Sequence, residues 1–113
     1  GMASSGGHDA GITQLVISPG AGALVGDVTG TRTISSKAGE LGWGTPAPAA
    51  LIGATMPGTA GHAVVFGYDK GAQMTTMKAP ARRAGFAIRD GLAANLNADG
   101  LALFDAILAW VAE

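Results

Sequence analysis

Residues His62 to Met77, HAVVFGYDKGAQMTTM, decide how this chain folds. The run from His62 to Tyr68 reads as a buried strand, because β-branched and aromatic side chains pack well on a pleated surface. Asp69-Lys70-Gly71 then reads as a three-residue turn with glycine where positive φ is wanted. Ala72 to Met77 is expected to return as its partner, giving a hairpin over 62–77. Downstream, 81–89 puts Phe86 and Ile88 on one face and is expected to be the next strand, closed by Asp90-Gly91.

Beyond a loop ending at Asn97, residues 99–112 predict an amphipathic helix. At about 100° per residue, Leu101, Phe104, Leu108 and Val111 fall together, and Leu103, Ile107 and Trp110 lie alongside. These groups cover half the circumference. Asn97 or Asp99 is the expected N-cap. The opposite face, Ala102, Asp105, Ala106 and Ala109, is nearly uncharged, and its alanines permit close approach by another element.

Upstream the elements are short. Ile12 to Ile17 (ITQLVI) reads as a strand ended by Ser18-Pro19-Gly20, and the valines and threonines of 25–36 favour extended chain. Leu41 and Trp43 share a face of ELGWG, Thr45-Pro46-Ala47-Pro48 is excluded from a central strand, and 49–56 is a further apolar run ended by Pro57-Gly58. Residues 1–11 read as a flexible lead-in and 12–113 as one small domain. The fold class expected is α/β or α+β, with a short-stranded mixed sheet and one C-terminal helix.

The chain has 113 residues, 48% hydrophobic and 13% charged, with nineteen glycines, no cysteine and a net charge of -1. Charged residues are about a quarter of an ordinary soluble domain, so this surface is poor in charge. Seven Lys and Arg against eight Asp and Glu provide no basic field for nucleic acid or for an anionic membrane. Without cysteine there are no disulfides, thiol nucleophiles or thiolate metal sites. No apolar run approaches the roughly 18 residues of a membrane span. The first residues have neither the basic nor the apolar region of a signal peptide, and Gly1 before Met2 reads as a remnant of a cleaved tag.

The candidate motifs resolve into structural readings. Gly20-Ala21-Gly22-Ala23-Leu24-Val25-Gly26, with Glu40 downstream, has dinucleotide-loop spacing but lacks the helix that must begin inside it, so a turn-rich connection is preferred. Asn95 to Gly100 imitates a calcium loop, yet its ninth and twelfth places are Leu103 and Ala106, which leaves a turn and helix cap. His8 and His62 could reach a metal with Asp9 or Asp69 only if the fold united them. No G-x-S-x-G surrounds Ser4, Ser5, Ser18, Ser35 or Ser36. Arg82-Arg83 in a strand is expected to give one surface arginine and one partnered residue. Met56, Met74 and Met77 are expected to fill gaps in a core or hairpin face. No catalytic, cofactor-binding or metal-binding residue is assigned, and no cofactor is expected.

HAVVFGYDKGAQM, APARRAGF and ADGLALFDAILAW, with GWGTPAPAALIGATMPG upstream, resemble the C-terminal half of a glutamine-amidotransferase-like domain of the ThuA-like group. The resemblance covers roughly Ile12 to Trp110. It implies half of a flavodoxin-like fold, in bacterial proteins that are often exported, and a cysteine nucleophile located N-terminal to this region. No cysteine is present here, so the resemblance carries over no catalytic residue. With no catalytic constellation in the chain, the function expected is a non-catalytic structural or interaction module, the trailing part of such a domain. The expected partner is a second copy of the chain or a missing N-terminal half-domain. The alternative is a carbohydrate or small-polar-ligand module with Trp43 and Tyr68 as a stacking platform; a hydrolase using His62 and Asp69 is the third reading.

Overall fold

A computed structural model describes residues 3–18, 22–26, 28–36, 39–86 and 95–112. The described residues form seven strands: β1 (Ala3–Ile12), β2 (Gln14–Ile17), β3 (Thr31–Thr33), β4 (Gly39–Pro46), β5 (Leu51–Met56), β6 (Thr59–Tyr68) and β7 (Arg83–Phe86). Among the described residues there is one α-helix, α1 (Ala98–Ala112), and Gly22–Leu24 forms a single 3-10 turn. The strands make one sheet in the order β1-β4-β6-β5-β2-β3, with β7 also on β6. Every strand pair is antiparallel. The fold is therefore α+β.

This corrects the expectation of a mixed sheet and the flavodoxin-like frame. A parallel pair needs a crossover of a dozen or more residues, whereas β5 and β6 are joined by Pro57-Gly58 alone, with Gly58 at φ +75°. The same turn corrects the expected hairpin over 62–77: β6 makes its hairpin with the strand before it. Residues 71–79 fold back on themselves instead. Gly71 N–H donates to Ala79 O, Ala72 and Ala79 and then Met74 and Met77 bond across, and Gln73 bridges Lys78. The edge of β6 that 72–77 would have occupied holds β7 at Val65 to Tyr68, with β4 meeting the same edge at Ala63.

The expected strand 81–89 begins at Arg83 and is described to Phe86; residues 87–90 lie outside the described residues. The helix expected over 99–112 forms, one residue longer at its start. Residues 1–11 include most of β1, which is held by backbone pairing along β4 from Ala3↔Pro46 to Ile12↔Gly39. Thr45 and Pro46, expected to be excluded from a central strand, instead end β4 between β1 and β6; Pro46 is tolerated there because it lies beyond the contact with β6.

The main core lies between the sheet and α1. Leu15, Ile17, Leu41, Ala54 and Val64 from the strands meet Leu103, Ile107 and Trp110 from the helix. The register of β5 on β6 shifts at Ile52/Ala54 and again at Ala54/Thr55, leaving Gly53 and Val64 unpaired. Those bulges break the alternation and let both Val64 and Val65 join this core. A second cluster of Ala63, Phe66, Tyr68, Met74 and Ala79 packs with the 47–52 segment.

Candidate functional site

The start of α1 is built by its local sequence. Asn97 Oδ1 accepts the Gly100 N–H at 2.9 Å, the Asn97 carbonyl accepts from Leu101 N–H, and Asn97 Nδ2 donates to Thr33 O at 2.7 Å. This is the N-cap role expected of Asn97. Asp99, the other candidate, instead sits 3.5 Å from the Arg32 guanidinium, both about half exposed. At the other end α1 has no basic residue in its last turn, and Arg82 supplies the cation from outside the helix.

The broad apolar arc of α1 divides in two. Gly100, Leu103, Ile107 and Trp110 are buried against the sheet. Leu101, Phe104, Leu108 and Val111 are not: their exposures are 51%, 41%, 53% and 39%. A stripe of roughly 100° suffices to pack one face of a helix, and an arc of half the circumference exceeds it. On the alanine side, the Cβ of Ala106 comes within 3.1 Å of the place a side chain at Gly26 would take, so part of the surface expected to be open is a contact inside the chain.

The outer row borders β7. Phe86 and Phe104 lie 6.5 Å apart at a tilt of 44°. A groove between β7 and α1 is lined by Arg83, Ala84 and Phe86 on one side and Phe104, Leu108 and Val111 on the other. Of the arginine pair, Arg83 is exposed and Arg82 is engaged: its Nε donates to Asp69 Oδ1 at 2.8 Å and its Nη1 to Trp110 O at 2.9 Å. This matches the expected division between the two.

The other sequence candidates are placed elsewhere. Trp43 is half-buried, and one face of its indole is covered by the His62 ring, centroids 3.6 Å apart and planes within 2°. Tyr68 is fully buried, its hydroxyl accepting the Ala47 N–H at 2.8 Å, so it takes no part in an exposed platform with Trp43. His62 and Asp69 stand toward opposite ends of β6, roughly 20 Å apart at strand rise, and Asp69 pairs with Arg82. His8 lies on β1 opposite Gly42. Met56 and Met74 are buried, whereas Met77 is exposed and corrects the expectation for that residue.

In the glycine-rich segment, Gly22–Leu24 makes only a 3-10 turn, and no helix begins there to face a phosphate; 19–21 lie outside the described residues. Among the described residues no three His, Asp or Glu side chains gather as a metal site. The exposed row on α1 was missed in the sequence because its residues look like core; the signal available was the excessive width of the arc. Comparison with protein-family models, curated proteins and solved structures finds no match to this chain.

Proposed function

We propose that this chain is a non-catalytic interaction module whose working surface is the outer face of α1. One observation carries the reading: Leu101, Phe104, Leu108 and Val111 form a continuous row of large apolar side chains left open to water. Contiguous apolar surface on a small chain marks a place that is covered in use.

The absence of cysteine makes the test clean, because Leu108→Cys takes a single environment-sensitive fluorophore. At nanomolar concentration the label is expected to report water. An apolar dye should bind the folded chain and lose most of that binding in Leu101→Ser/Leu108→Ser with the circular dichroism unchanged. A water-shielded label in the isolated chain, or dye binding indifferent to the double substitution, overturns the reading.

A further inference from the structure

Resting on that reading, we propose that the occupant of the α1 face is a second copy of this chain, packed antiparallel across a two-fold axis. The exposed residues 101, 104, 108 and 111 are separated by three, four and three positions, the seam spacing by which helices pack side by side. This spacing is the same read in either direction. A two-fold axis level with Ala106 therefore sets Phe104 of each copy beside Leu108 of the other, and Leu101 beside Val111. A two-fold contact uses one patch twice, and this patch meets that demand without a change of register.

Charge supports the same occupant. The chain carries a net charge of only -1, so two copies repel little. Arg83 lines the groove next to Arg82, which bonds the Trp110 carbonyl, and so stands toward its Val111 end. Antiparallel packing carries the two Arg83 side chains to opposite ends, about 15 Å apart at helical rise and beyond the screening length of about 8 Å. The helix dipoles also oppose one another. A stable interface covers about 800 Å² per partner, which requires the β7 groove with Phe86 as well as the seam.

Asp105 opposes the pairing. It flanks the seam one residue from Phe104, and the axis brings it to within about 3 Å of its counterpart's level along the helix, where two carboxylates repel. That repulsion weakens the pairing and makes the dimer a reversible one.

Sedimentation velocity from sub-micromolar to hundred-micromolar chain tests this. A concentration-dependent monomer–dimer equilibrium is expected, shifted to monomer by Leu108→Lys and tightened several-fold by Asp105→Asn, with circular dichroism unchanged. A short bis-maleimide should cross-link Asp105→Cys to itself, and Leu101→Cys, whose counterparts lie about 15 Å apart along the helix, should not. A chain that stays monomeric throughout, with the Leu108 label still reporting water, overturns the second copy while leaving the open face standing. Dimerisation indifferent to Leu108→Lys, or self-cross-linking through Leu101→Cys, overturns the antiparallel seam.

Discussion

The guanidinium of Arg82 lies 4.6 Å above the indole of Trp110 and donates a hydrogen bond to the carbonyl of the same residue at 2.9 Å. One side chain thus does two things at the end of α1. It satisfies a carbonyl that the helix leaves without an internal partner, and it places positive charge at the negative end of the dipole. The indole beneath it is buried beside Gly67, where a Cβ would stand 2.9 Å from the ring. Because Trp110 anchors the buried side of α1, Arg82 also fixes how the opposite row of Leu101, Phe104, Leu108 and Val111 faces water.

Arg82→Ala is expected to cost about 2 kcal/mol, combining a charge-assisted hydrogen bond with a cation–π contact. Asp69→Asn should cost under about 0.5 kcal/mol, because Asp69 is 57% exposed and exposed ion pairs contribute little. Arg82→Lys keeps the charge but loses the fork, and should fall between. Urea denaturation of the three variants checks the order. Equal losses for Arg82→Ala and Asp69→Asn would show that the ion pair, not the helix end, is what matters.

Gly100→Ala should invert the usual rule. Glycine to alanine inside a helix normally stabilises by about 1 kcal/mol. At Gly100 the added Cβ would collide with the Ile34 carbonyl oxygen and stand 2.7 Å from Leu96 Cδ2. That carbonyl also accepts the Asn97 N–H at 2.9 Å, so it cannot yield without loosening the cap. A loss of about 2 kcal/mol or more is expected in thermal or urea unfolding. Gly61→Ala, where nothing lies within 4 Å and φ is not positive, should change stability little.

These two sites show what could be read in advance. The cap at Asn97 and the length of α1 were legible because both are local: an oxygen side chain ahead of an apolar period needs no distant partner. β6 was legible for the same reason. Its partner was not, since Gly71 and Gly58 both supply positive φ and both promise a hairpin. The choice was made by β7 occupying the far edge of β6, which is a non-local event. β1 was illegible because glycines have low strand preference, and two of them are there to make room. A Cβ at Gly6 would meet Trp43 O at 2.8 Å, and one at Gly7 would meet the indole. The open row on α1 was hidden by its own hydrophobicity: periodicity shows an apolar arc but not which part of it a small sheet can cover.

Gly7 leads to a prediction about Trp43. A Cβ there would stand 2.8 Å from Cζ2 and 3.0 Å from Cε2, while the His62 ring stacks at 3.6 Å. Gly7→Val should therefore push the indole off the imidazole and cost about 1–3 kcal/mol by overpacking. Near-ultraviolet circular dichroism would register the displaced ring, with Trp43→Phe as the spectral reference. An unchanged Trp43 signal in a stable Gly7→Val protein would refute the close approach of β1 to that ring.

The cap and the neighbouring ion pair at the start of α1 can be separated by size. Asn97→Ala removes the acceptor for Gly100 N–H and the donor to Thr33 O together, and a loss of about 1–2 kcal/mol is expected. Asn97→Asp keeps the acceptor and adds charge at the favourable end of the dipole, but cannot donate to Thr33 O. That carbonyl is exposed enough to turn to water, so the loss should be smaller than for Asn97→Ala. Asp99→Ala breaks only a 3.5 Å pair with Arg32 between half-exposed groups and should cost under about 1 kcal/mol. Urea midpoints should therefore place Asn97→Ala lowest. If Asp99→Ala proves the most damaging of the three, the helix start is held by its charge pair and the assignment of Asn97 as the cap fails.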